Sequence, residues 1–169
     1  MMNSKTALAI GFALVAAIAT AQSPVESLNG KKMPSFSMTD LSGKKHTNTS
    51  LKGKVVILDF WASWCGPCKA ASPTMQALHQ KYASKGLVVI GANTEGQGDG
   101  FAIAKKYAAE HRFGYTFTAK NEDFAQKLGI QGIPTFIFID KKGVVRRVEV
   151  GFNPGSTPAS FEDTVKRLL

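Results

Sequence analysis

The chain has 169 residues, a formal net charge of +9 and 44% hydrophobic residues, enough apolar material for a sizeable core. Its only two cysteines lie three positions apart, which excludes a scaffold stapled by disulfides between distant segments. The basic residues come as scattered pairs (Lys31-Lys32, Lys44-Lys45, Lys105-Lys106, Lys141-Lys142, Arg146-Arg147) without interleaved aromatics, so they read as solvated faces and not as a nucleic-acid surface.

In chain order, Lys5 precedes an apolar run from Ala7 to Ala19 that exits through Ala19-Thr20-Ala21. The run is short for a membrane span, which needs about 20 apolar residues, and its exit suits a signal peptidase. Residues 1–21 are therefore expected to be a secretory signal, the alternative being an uncleaved tether. No cysteine lies near the cut to carry a lipid. The expected location is the periplasm or another exported compartment. Residues 22–32 are polar and mixed, expected as a flexible lead-in to one folded domain over 33–169.

Short alternating stretches around Phe36, Met38 and Leu41, with a turn at Asp40-Leu41-Ser42-Gly43, predict a β-hairpin within 33–50. The nearly continuous apolar run Lys54-Val55-Val56-Ile57-Leu58-Asp59-Phe60-Trp61 predicts a central strand buried on both faces. After the cysteines, Ala71, Met75, Leu78 and Tyr82 recur at helical spacing until Gly86, with Pro73 expected to kink the helix. A second buried strand (87–92), a glycine-rich loop (93–100) and helical patterns near 100–112 and 121–128, separated by a short strand at 115–118, follow. A strand pair is expected at 135–139 and 144–150. A C-terminal helix closes the chain, with Ser156 or Thr157 as cap and Pro158 in its first turn. This order points to a mixed sheet with helices on both faces.

The chemistry sits at Cys65-Gly66-Pro67-Cys68. A loop this short removes little entropy from the unfolded chain, so stability is a poor reason for the pair. With the strand ending at Trp61 and the helix starting just after Cys65, the Cys65 sulfur should meet unpaired N–H groups and the positive end of the helix dipole, which favour the thiolate. Cys68, one turn in and shielded, is then placed to resolve a mixed disulfide. Asp59 lies within an apolar strand, so burial should raise its pKa and fit it to take the Cys68 proton. No cofactor is expected: there is no second cysteine pair, and His46, His79 and His111 have no ligand spacing. Cuprous ion held by the two thiolates remains the competing metal reading. Gly96-Gln97-Gly98-Asp99-Gly100 lacks the strand and spacing of a nucleotide fingerprint.

Asp59-Phe60-Trp61-Ala62-Ser63-Trp64-Cys65-Gly66-Pro67-Cys68-Lys69 resembles the active-site segment of thioredoxin, and Gly132-Ile133-Pro134-Thr135 resembles the loop that carries that fold's cis-proline. Together with the hairpin, the insert between Asn93 and Thr118 and the leader, the chain from Met33 to Leu169 is similar to the TlpA/ResA branch of exported thioredoxin-like proteins. The resemblance implies an α/β thioredoxin-like fold, with a central mixed sheet flanked by helices, an N-terminal hairpin and a central helical insert. It also implies a disulfide reductase working through Cys65 and Cys68, with a buried acid at Asp59. Trp64, Gly66, Pro67, Ile133 and a cis Pro134 would form the surface that meets substrate. Exported protein disulfides are the implied substrates, and a membrane thiol donor of the DsbD kind the implied partner. The ResA pattern often carries an acid three residues after the second cysteine, where this chain has Ala71. A peroxidase of the related redoxin group would need a Pro and a Thr or Ser ahead of the cysteine, where Leu58 and Ala62 stand.

Overall fold

The computed structural model describes residues 24–169; the expected signal segment lies outside the described residues. Strand β3 (Val55–Trp61) is the centre of a five-stranded sheet of order β5-β4-β3-β6-β7. All seven of its residues are buried, as a continuous β-branched and aromatic run requires of a strand covered on both faces. It pairs in parallel with β4 (Leu87–Asn93), which pairs in parallel with β5 (Thr116–Thr118). On its other side it runs antiparallel to β6 (Thr135–Ile139), itself antiparallel to β7 (Val145–Val150). The predicted hairpin is β1 (Ser37–Thr39) with β2 (Lys45–Thr47), a separate two-stranded sheet. Asp40 closes its turn by accepting from the backbone N–H groups of Ser42 and Lys44.

Alternation along β3 divides the core. Val55, Ile57 and Trp61 face α1 (Gly66–Tyr82), α2 (Gly100–His111) and α4 (Thr157–Leu168), whose Met75, Leu78, Ala104, Tyr107, Phe161 and Val165 fill that side. Val56, Leu58 and Phe60 face the hairpin and α3 (Glu122–Lys127) through Met38, Ala125 and Leu128. The four apolar positions expected on the face of α1 are all buried. The helix continues past Pro73 to Tyr82. Its C-terminal end is tied to α4 where Lys81 Nζ and Tyr82 Oη both donate to Glu162 Oε1, each at 2.6 Å.

Two expectations need correction. Residues 24–32 are not a loose lead-in: Pro24–Leu28 form a 3-10 turn, Val25 is buried among the hairpin-side core, and Gly30 N and Val145 N bond Val145 O and Lys31 O. One apolar side chain among polar neighbours is a weak periodic signal, and only the groove beside β7 gives Val25 a place to bury. Nor does a side chain of Ser156 or Thr157 cap α4. Thr157 Oγ1 instead accepts from Asn153 N, while Asn153 O receives the N–H groups of Ser156 and Thr157. An unforeseen cap occurs at α2, where Asp99 of the glycine-rich loop accepts from Phe101 N at 3.0 Å.

Candidate active site

Buried strand β3 ends at Trp61, and the turn Ala62–Cys65, closed by Cys65 N on Ala62 O, delivers the chain to α1. Cys65 is the N-cap residue of α1, in extended conformation, and Pro67 occupies the first turn, where its missing N–H costs nothing. The two cysteines form a disulfide with Cα atoms 5.3 Å apart. Cys65 Sγ accepts from Cys68 N at 3.2 Å, in the place where a capping oxygen would stand. In the reduced protein the same N–H and the helix dipole would favour a thiolate at Cys65. Cys68 is the deeper of the two, 1% exposed against 5% for Cys65.

Across from the disulfide lies the loop before β6. The Ile133–Pro134 peptide bond is cis, and Ile133 O lies 3.8 Å from Cys65 Sγ. The loop is held by Thr135 Oγ1 donating to Gly132 O and by Gly151 N donating to Pro134 O. Trp64 is the most exposed large apolar side chain described, at 67%. A groove of about 650 Å³ runs from Trp64 past Ile133 and Gly132 to Gln126 and Glu122 of α3. Gly66 and Pro67 are exposed. The residues expected to meet substrate thus surround the sulfur pair, although 68 positions separate Cys65 from Ile133.

Asp59 lies under this surface, two residues before Trp61 on the same side of β3, and is 2% exposed. Its Oδ1 and the Nε1 of Trp61 have no hydrogen-bond partner within the protein. Burial alone pushes the Asp59 carboxyl up to about 8. Such a group can hold or release a proton near neutrality. Trp61 is core and not surface: its ring packs on Tyr107 and edge-on against Phe117, with centroids 4.6 and 5.6 Å away. A hydroxyl chain passes beside it, from Tyr107 Oη to Ser72 Oγ to the carbonyl of Cys68.

Sequence reading overlooked one charged residue. Glu95, in the glycine-rich loop after β4, accepts from Ser63 N at 2.9 Å, Ser63 Oγ at 2.7 Å and Asn93 Nδ2 at 3.2 Å. No local motif announces this contact; it follows from the parallel β3–β4 register, in which Trp61 sits opposite Asn93.

The chain matches the Redoxin family over residues 28–165. It is 32% identical over 146 residues to the thiol-disulfide oxidoreductase ResA of Geobacillus thermodenitrificans, covering 85% of this chain and 80% of that protein. It is 33% identical over 161 residues to ResA of Bacillus thuringiensis, covering 95% and 88%. Among solved structures, a thiol:disulfide interchange protein of the thioredoxin family from Chlorobium tepidum superposes with a TM-score of 0.69 at 32% identity, over 81% of this chain and 94% of that one. With a helix-capping cysteine pair facing a cis-proline loop on a thioredoxin-like sheet, the chain belongs to the Redoxin family and, within it, to the ResA-type thiol-disulfide oxidoreductases.

Proposed function

We propose that this protein is an exported disulfide reductase that acts on disulfides of other exported proteins and is itself recharged by a membrane thiol donor of the DsbD kind. The observation that carries the reading is the placement of Cys65 as N-cap of α1, beside Ile133 O and next to the exposed ring of Trp64. The apolar leader and the ResA-type relatives support the exported compartment.

In the reduced protein the Cys65 thiolate attacks one sulfur of the substrate disulfide. A mixed disulfide forms and the other substrate sulfur leaves as a thiolate, taking a proton from solvent. An extended substrate segment lies along Trp64 and the backbone of Ile133, with Gly66 and Pro67 leaving room above the sulfurs. Cys68 then loses its proton to Asp59 and attacks Cys65 Sγ, releasing the second substrate thiolate and leaving the pair oxidised. Two electrons pass from the cysteine pair to the substrate. A dithiol donor restores them by the reverse exchange.

The roles are tested on reduced protein with an insulin-type disulfide. Cys65→Ser should abolish exchange, whereas Cys68→Ser should attack once and accumulate as a mixed disulfide with its partner. Prior alkylation of Cys68 at mildly acidic pH would reverse the assignment. The direction is tested by equilibration with glutathione. The Gly-Pro dipeptide shared with thioredoxin predicts a potential closer to about −270 mV than to about −120 mV, and a value more positive than about −170 mV would make the protein an oxidant.

A further inference from the structure

We propose that Glu95 is a positioning residue for this chemistry, one that fixes the segment before Cys65 and whose negative charge restrains formation of the Cys65 thiolate. The proposal rests on the exchange reaction described above and adds a control on its nucleophile.

The geometry has three parts. One carboxylate receives both hydrogen-bonding groups of Ser63, N–H and hydroxyl, so the loop after β4 is clamped to the turn that presents Trp64 and Cys65. The carboxylate is fixed from behind by Asn93 Nδ2, while Asn93 Oδ1 accepts from Glu95 N. Ser63 and Cys65 lie within one closed turn, Cys65 N bonding Ala62 O, so their Cα atoms are no more than about 7 Å apart. A charge held at Ser63 is therefore a near neighbour of the helix end where the thiolate forms.

That charge persists at neutral pH. Burial works against it, but the Ser63 and Asn93 donors and the positive charge of Lys69 together hold the Glu95 carboxyl below its ordinary range. Lys69 stands one turn into α1, its N–H bonded to Cys65 O. It lies close enough to Glu95 to stabilise that carboxylate and carries the opposite charge. Among the described residues, the other ionisable groups near this place are Lys106, Tyr107, Glu110 and His111 of α2, which line the cleft shared by Ser63 and Lys69, Glu122 of α3, which accepts from Gly96 N, and buried Asp59 of β3. The loop Gly132–Pro134 brings none. Among the ionisable side chains of the described residues, only Glu95 is bonded to the turn leading into Cys65. The helix dipole and Lys69 favour the thiolate, and Glu95 opposes them, which keeps the sulfur from becoming so stable an anion that it loses nucleophilicity.

Glu95→Gln keeps the size and an acceptor for Ser63 while removing the charge. The rate of iodoacetamide alkylation at Cys65 is followed against pH in the reduced full chain, with the modified residue located by mass spectrometry. The midpoint should move to lower pH, so that one unit below the wild-type midpoint the rate, as a share of its own plateau, rises about two- to fivefold, while the plateau falls by up to about threefold as nucleophilicity drops with pKa. Lys69→Met should move the midpoint the other way. If Glu95→Gln disturbs folding, Glu95→Ser is read for the same sign. A residue that only stabilised the loop would alter the denaturant midpoint and leave the alkylation midpoint in place. An unmoved or raised alkylation midpoint in the charge-removed variant overturns the proposal. Alkylation needs no disulfide substrate, so failure here stays distinct from a wild-type protein that does not reduce insulin.

Discussion

Asp59 shows how one residue couples stability to chemistry. Its native pKa, raised by burial from 3.8 to about 8, means that the native state keeps a proton which the unfolded chain gives up. Below about pH 4 both states are protonated and no penalty exists. As pH rises from about 4 to 8 the unfolded chain is favoured by up to about 1.4 kcal/mol per unit, and the loss levels off above 8. Asp59→Asn should therefore be more stable than wild type, with a gain that widens from pH 4 to pH 8 and then stays constant. Urea midpoints at three pH values check this, and a gain independent of pH would mean that Asp59 is not a buried acid. On the proposed proton transfer, the same variant should exchange disulfides about ten- to a hundredfold more slowly between about pH 7 and 8, where the wild-type carboxyl is partly ionised and can accept a proton, and recover at high pH, where Cys68 ionises unaided. Equal slowing at every pH would leave Asp59 with a structural role only. The position of Asp59 in an apolar run was legible in the sequence. That its Oδ1 is left without a hydrogen-bond partner was not, because this depends on what β4 and β5 lay against it.

At the scale of the element, β4 carries a requirement that periodicity does not express. Gly91 pairs with Asp59, and a Cβ built on it would lie 3.1 Å from Tyr115 Cε2, 3.2 Å from Phe117 Cδ1 and 3.2 Å from Trp61 Nε1. The absent side chain is the space those three rings occupy. Gly91→Ala should cost about 1–3 kcal/mol of stability, since packed rings cannot yield as a flexible chain end does. It should also shift Trp61 fluorescence, and an unchanged denaturant midpoint would refute the crowding. Strand β3 and the buried face of α1 followed directly from the sequence, because each is a long run with one period. The cap of α4 did not follow, since Asn153 claims Thr157 from four residues upstream and a helix start offers several such choices.

For the whole molecule, the N-terminal segment is the telling case. Gly129 closes α3 at φ +74°, and a Cβ there would come within 2.6 Å of Pro24 Cβ. A glycine is required twice over, by backbone conformation and by the approach of a segment 105 positions earlier. Gly129→Ala should loosen residues 24–32 and cost about 1–3 kcal/mol. Faster proteolytic cleavage ahead of Met33, with the sheet intact, is the expected signature; cleavage at the wild-type rate would show that the contact is dispensable. The sequence by itself determined the elements whose information is local: the buried strand, the amphipathic helix, the hairpin turn, and a cysteine pair at a strand-to-helix junction. Their order and the thioredoxin-like motifs were enough for the sheet and for Pro134. Only the tertiary structure decided which distant groups meet: Ile133 against Cys65, Glu95 on Ser63, Val25 beside β7. Those contacts arise from strand register and from close packing around one shared core, and no period or spacing along the chain records either.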